Sequence, residues 1–118
     1  MALVNNERTA TLNYVFREKY GSLYLALLTS DGELTGEGYE RQLITFGEAS
    51  NSRISNDAEV HFPVALEDWG DVTKTEIYDD KTGGTKVTEA YETEPRTINK
   101  NERISWQVGD YIERLERG

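Results

Sequence analysis

The sequence contains no cysteine. Disulfide cross-links, thiolate metal sites and cysteine nucleophiles are therefore excluded, which fits a protein assembled in a reducing cytosol. Histidine is nearly absent, with His61 alone, so a Ser-His-Asp triad or a multi-histidine metal site has little to draw on. Only two prolines occur. No apolar run approaches the about 18 residues that a membrane helix needs, and Leu23 to Leu28 is far too short. The opening M-A-L-V-N-N-E-R lacks the basic region and long apolar stretch of a secretory signal, and none is expected. Positive charge is scarce too: 13 Lys and Arg stand against 22 Asp and Glu, for a formal net charge of -9. A phosphate-binding surface needs a basic patch, so neither nucleic acid nor an anionic membrane is an expected partner. There is no G-x-S-x-G and no G-x-x-x-x-G-K-[ST], and the glycine-rich stretch Gly32 to Gly38 carries acids that repel phosphate. No EF-hand spacing occurs. No cofactor is implied, and no catalytic constellation is visible.

What is present is a small β protein. A chain of 118 residues suits one domain with one core. The stretch from Ala58 to Asp79 reads as strand, corner, strand. Ala58, Val60 and Phe62 alternate with Glu59 and His61, the period of a half-buried strand. Pro63 removes a backbone donor and ends the pairing or confines it to an edge. Trp69-Gly70 closes the corner: the indole fills the end of a core, and Gly70 permits a close approach or a positive φ. Val72 to Tyr78 is extended again.

Along the rest of the chain, residues 6–19 read as the one helix, with Leu12, Val15 and Phe16 on one face and Gly21 after its end. Leu23 to Thr29 is apolar on both phases and is expected to be a central strand covered on both sides. Ser30-Asp31-Gly32 turns the chain, and the Glu- and Gly-rich loop to Gly38 is expected to be exposed. Tyr39 to Phe46 is a strand centred on Leu43 and Ile44. Asn56-Asp57 is a turn. Gly83-Gly84 supplies the positive φ of a hairpin turn, Thr85 to Tyr91 returns, and Thr93-Glu94-Pro95 breaks that strand. Arg103 to Val108 alternates with Ile104, Trp106 and Val108 on one face, and Tyr111 to Leu115 is the last strand. Short strands at about ten-residue spacing indicate an all-β, mainly antiparallel fold, a β sandwich or jelly-roll-like arrangement with one N-terminal helix, in a single domain of residues 1–118.

Several groups are candidate sites. His61 beside Glu59 is an exposed strand histidine in the simplest reading, since spacing places no second metal ligand. Glu67, Asp68 and Asp71, with Asp79 and Asp80, form an acidic set around the corner that reads as a solvated loop. Tyr24, Tyr39, Tyr78, Tyr91 and Tyr111 offer either a sugar-stacking face or packing at the core and rim.

Taken in order, several short motifs resemble a family of small tailed-bacteriophage structural proteins, often labelled tail fiber-like proteins. They are the helix Leu12 to Phe16, Y-x-A-L-x-T in Tyr24 to Thr29, G-Y-x-R-Q in Gly38 to Gln42, and T-F-x-x-A in Thr45 to Ala49. F-P-x-A in Phe62 to Ala65, W-G-x-V-T in Trp69 to Thr73, and the Ile77-Tyr78-Asp79 and Gly83-Gly84 pieces follow. The chain departs at Glu76, where a small residue is usual, and at Asn101-Glu102, where Gly-Asp is common. The resemblance implies a virion component without enzymatic activity, assembled in the host cytoplasm and in contact with other virion proteins. It implies a tail fiber, tail-tip or baseplate part that forms a homo-oligomer, a trimer above others. Capsid decoration and host-glycan binding remain as alternatives. Tyr39, Arg41, Phe62, Pro63, Trp69, Gly70 and Ile77 are the residues expected to carry the structural motif, and the planar fork of Arg41 suits a buried carboxylate or backbone carbonyls.

Overall fold

A computed structural model describes residues 5–114. The chain begins with α1 (Asn5–Asn13), which runs directly into a wider π-helical turn over Tyr14–Lys19. Among the described residues nine strands follow: β1 (Leu23–Thr29), β2 (Gly32–Glu33), β3 (Gln42–Ile44), β4 (Arg53–Ser55), β5 (Val60–His61), β6 (Gly70–Tyr78), β7 (Lys86–Ile98), β8 (Ser105–Trp106) and β9 (Ile112–Arg114). All strand pairings are antiparallel. The largest sheet runs β2-β1-β6-β7, and β3 joins the same edge of β1 as β2, further back along the strand. Two small ribbons, β4-β9 and β5-β8, complete the strands, and the sheets do not close into a barrel.

The expected helix of residues 6–19 is thus α-helical only to Asn13. Its weak helix formers are explained by what their side chains hold. Thr9 Oγ1 accepts from Ser52 N at 3.0 Å, Asn13 Oδ1 accepts from Ala49 N at 2.8 Å, and Arg8 Nε donates to Ser52 Oγ at 2.9 Å. They stitch the helix to a tight turn in which Asn51 and Ser52 both take positive φ. The π turn then brings Phe16 onto Phe46, with ring centroids 4.8 Å apart.

β1 is buried on both faces, in keeping with its unbroken apolar run. Leu23, Leu25 and Leu27 face the main core with Ile44, Val72 and Ile77. Ala26 and Leu28 are buried on the opposite face. Two strand boundaries move. The strand expected over Tyr39 to Phe46 pairs only at Gln42–Ile44, with Leu43 exposed on the outer face. The strand expected over Arg103 to Val108 ends at Trp106, so Val108 is exposed and only Ile104 and Trp106 reach the core.

β7 does not stop at Thr93-Glu94-Pro95. Its pairing with β6 jumps from Lys74↔Tyr91 to Val72↔Arg96. The proline, which cannot donate, is carried in a bulge and the ladder resumes beyond it. Asn101 takes φ +74. Asparagine tolerates that left-handed conformation better than other non-glycine residues. No helix among the described residues is long and apolar enough to cross a membrane.

Candidate functional site

The loop up to Gly38 is expected to be exposed, and the structure corrects this in part. Leu34 is buried, and its amide bonds Leu27 O at 3.0 Å. The Trp69 indole Nε1 donates to Glu37 O at 3.0 Å, and the Leu66 amide reaches the same carbonyl. Gly36 lies against the indole so closely that a Cβ there would sit 2.5 Å from Trp69 Cδ1. The loop is therefore ordered by one tryptophan, which glycine-rich composition alone does not reveal.

Tyr39 ties this loop to the core. Its ring stacks on Phe62 at 6.2 Å and meets the edge of Trp69 at 5.8 Å. Its hydroxyl sits beside β1 between the parts of that edge taken by β3 and β2. There it accepts from Leu27 N at 3.1 Å and donates to Glu33 Oε2 at 2.6 Å. A backbone donor left over where two short strands fail to meet is thus satisfied by a phenol. Burial, and then the bond to Glu33, push the Tyr39 pKa well above the usual phenol value, so the proton stays on the oxygen and donates.

Arg41, itself buried, completes the arrangement. Its Nε and Nη2 engage both Glu33 oxygens at 2.9 and 2.8 Å. Its Nη1 donates to Asp80 O at 3.0 Å and Gly83 O at 2.8 Å, the carbonyls of the β6-β7 turn. The guanidinium also lies over the Tyr78 ring, 3.8 Å from its centroid. One side chain therefore joins β2, the loop after it and the long hairpin, with a groove of about 310 Å³ beside it. Burial pushes the Glu33 carboxyl up, but hydrogen bonds from Arg41 and Tyr39 and the Arg41 charge together outweigh this. Glu33 ends below its ordinary 4.5.

The same outer sheet face continues across β6 and β7. Glu76 is almost fully buried there, opposite Ala26 and Glu89. It pairs with Lys74 at 3.1 Å and Lys86 at 3.3 Å, and it accepts from Tyr78 Oη at 2.6 Å. Both lysines also reach Glu89 at 3.2 Å. Glu76 is thus compensated by two cations and a phenol. Burial raises its pKa, yet these three bonds bring it below 4.5. Register places Leu43, Tyr24 and Tyr78 in one row across this face, with Lys74 and Tyr91 in another.

Of the other sequence candidates, Phe62, Trp69 and Ile77 are buried in the core, Pro63 is half-buried after β5, and Gly70 takes φ +88 at the start of β6. His61 contacts Glu59 at 2.6 Å on the exposed side of β5. The acidic residues of the corner do not converge. Each serves a separate bond: Glu67 accepts from Glu37 N, Asp68 from Lys100 N, Asp71 from Thr97 Oγ1, and Asp79 from Thr85 N. Tyr111 is buried and bonds Thr75, whereas Tyr91 is 74% exposed.

Asn56 was read only as a turn residue, and it is a buried hub. Its side chain donates to Ala58 O and Gln107 O and accepts from Tyr111 N, at 2.8 to 2.9 Å. Its own amide and carbonyl bond Tyr111 O and Gly109 N. The Asn-Asp pair signalled a turn but not the distant residues that the turn would hold.

The pieces G-Y-x-R-Q, F-P-x-A, W-G-x-V-T and the Gly-Gly turn, scattered along the chain, therefore meet in one constellation around Tyr39 and Arg41. Comparison with known families gives a match over residues 2–112 to the one described as Podophage GP4 fiber I protein gp80. The chain belongs to this family of phage fiber proteins. No curated protein matches the chain. Family membership makes the chain a bacteriophage structural protein of fiber type and hence a virion component. In this fiber protein these pieces lock a loop and a hairpin onto the central strand.

Proposed function

We propose that this fiber protein is a non-enzymatic tail fiber, tail-tip or baseplate part that joins other virion proteins and copies of itself, in a three-fold arrangement above others. The family match over residues 2–112 carries this reading. The geometry supports it. The charged and phenolic groups gathered on the outer sheet face are engaged with one another, and this fixes a rigid surface. Glu33, Glu76 and Glu89 there are balanced by Arg41, Lys74 and Lys86. The three acids and three cations there offset one another, so two acidic chains repel each other little across this face. Assembly takes place in the host cytoplasm before the particle is complete.

Two measurements test the proposal. Light scattering at several concentrations is expected to give a closed oligomer, a trimer in the favoured case; a monomer at every concentration defeats the self-assembly part. Labelling of intact virions with antibody to the protein is expected to mark the tail. Label on the head would replace this reading with capsid decoration.

A glycan-binding role is favoured by one observation, the exposure of Tyr91 on the same face as Tyr24 and Tyr78. Binding of the oligomer to a host-glycan array, lost in Tyr91→Ala, would support it. A clean negative would remove it.

A further inference from the structure

Away from the outer face, Glu113 is a buried acid with no cation beside it among the described residues. Glu113 of β9 turns its carboxyl beneath the N-terminal helix. It lines a cavity of about 180 Å³ with Thr11, Leu12, Val15 and Phe16 from the helical segment and Val87 and Thr88 from β7. Thr88 and Tyr111 hydrogen-bond the carboxyl, but its Oε1 is buried with no partner.

Among the described residues, no opposing charge is at hand on the elements around it. The helical segment presents apolar groups and one hydroxyl to the cavity. Its Arg8 bonds Ser52, and Arg17, Glu18 and Lys19 are exposed. On β7, Lys86 and Glu89 pair with each other and with Lys74 and Glu76 on the outer face. On β4, the residue opposite Glu113 is Ile54, and its neighbour Arg53 is exposed. A carboxylate in this cavity would be a desolvated charge with one oxygen unbonded, which is far more costly than the neutral acid.

We propose that the N-terminal helix is seated by a proton: it rests on the sheet while the Glu113 carboxyl is neutral and loosens as that carboxyl ionises. The seat itself is light. Leu12 is the one fully buried side chain of residues 6–19, Val15 and Phe16 are half-buried, and Tyr14 is 53% exposed. Burial raises the Glu113 pKa from 4.5 to about 7, against the smaller opposing effect of the two hydrogen bonds. The folded value lies above the unfolded one, so the seated helix binds the proton more tightly. Its stability is fully present below about 4.5 and is lost as pH rises through about 7.

The test is amide hydrogen exchange over residues 8–19, corrected for intrinsic rates, on the full chain between pH 5 and 8. In the unmodified protein, opening of this segment should increase by up to about tenfold per pH unit below pH 7 and then level off. In Glu113→Gln it should be flat. The same profile in both proteins would overturn the proposal, as would a parallel loss of protection across the whole chain. If Glu113→Gln does not fold, NMR titration of the Glu113 carboxyl in the unmodified protein decides. A midpoint near 7 supports the proposal and an ordinary carboxylate midpoint overturns it.

Discussion

Arg41 stacks on Tyr78 with 3.8 Å between guanidinium and ring centroid, while it holds both oxygens of Glu33. The stacking and the fork use different faces of one planar group, and neither is available to an ammonium. Arg41→Lys keeps the charge but loses the bidentate grip, the stacking and at least one of the two turn carbonyls. It is expected to cost about 1–2 kcal/mol. Arg41→Ala leaves Glu33 half-buried without its cation and is expected to cost about 2–3 kcal/mol, at the lower side of a broken buried pair because Glu33 is partly solvated. Denaturant melts measure both. Equal losses for Lys and Ala would mean that only the fork matters.

Trp69 has two separable roles. Its ring meets Tyr39 in the core, and its Nε1 fixes the 33–42 loop through Glu37 O. Trp69→Ala removes both and is expected to cost about 3–5 kcal/mol. Trp69→Phe keeps an aromatic body and loses the donor. Glu37 O retains the Leu66 amide, so the expected cost is only about 1–2 kcal/mol. Gly36→Ala attacks the same contact from the other side, because its Cβ would overlap the indole. It is expected to destabilise the fold and to increase exchange at the Tyr39 amide. Unchanged melting in Gly36→Ala would show that the loop can shift away without loss.

The β6-β7 turn offers a contrast between adjacent glycines. Gly83 has φ +63 and open space where a Cβ would project. Gly83→Asn is therefore expected to stay within about 0.5 kcal/mol, since asparagine tolerates this region. Gly84 has φ +76, and a Cβ there would lie 2.6 Å from Asp79 Oδ1 and 2.8 Å from Asp80 Cβ. Gly84→Ala is expected to cost about 2 kcal/mol or more, from strain and from displaced turn carbonyls that Arg41 grips. Thermal melts of the two variants distinguish a turn held by shape from one held by flexibility.

Local signals in the sequence were sufficient where they matched the tertiary demand. The unbroken apolar run of β1, the alternation around Val60 and Phe62, and the Gly-Gly turn each name their own structure. The convergence of Tyr39, Phe62 and Trp69 was not legible, because alternation tells which face a residue occupies and not which distant residue it meets. Leu43 and Val108 were misplaced for a related reason. Leu43 is paired but points to the outer face of its strand, and Val108 lies beyond the end of β8, so apolar character alone does not decide exposure. Asn56 was missed as a hub because its partners, Gln107 and Tyr111, lie far along the chain. The loop up to Gly38 is not legible as ordered because its order comes from contacts with Trp69, not from its own composition.

Acid should loosen the outer-face network in a defined window. Glu33 and Glu76 both have folded pKa values below 4.5, held down by Arg41 and Tyr39 in one case and by Tyr78, Lys74 and Lys86 in the other. For groups lowered on folding, the stabilisation is present above the unfolded pKa and is lost as pH falls through the folded one. Melting temperature is therefore expected to fall as pH is lowered from about 4.5 toward 3. The pI near 4.6 lies at the edge of this window, so dilute samples are needed to keep association from hiding the effect. Glu33→Gln separates this network from general acid denaturation. It should melt lower than the unmodified protein at pH 7, where a charged partner of Arg41 has been lost. It should also lose less between pH 4.5 and 3, because one of the titrating groups is gone. A Glu33→Gln curve that runs parallel to the unmodified one throughout would show that acid acts elsewhere in the molecule.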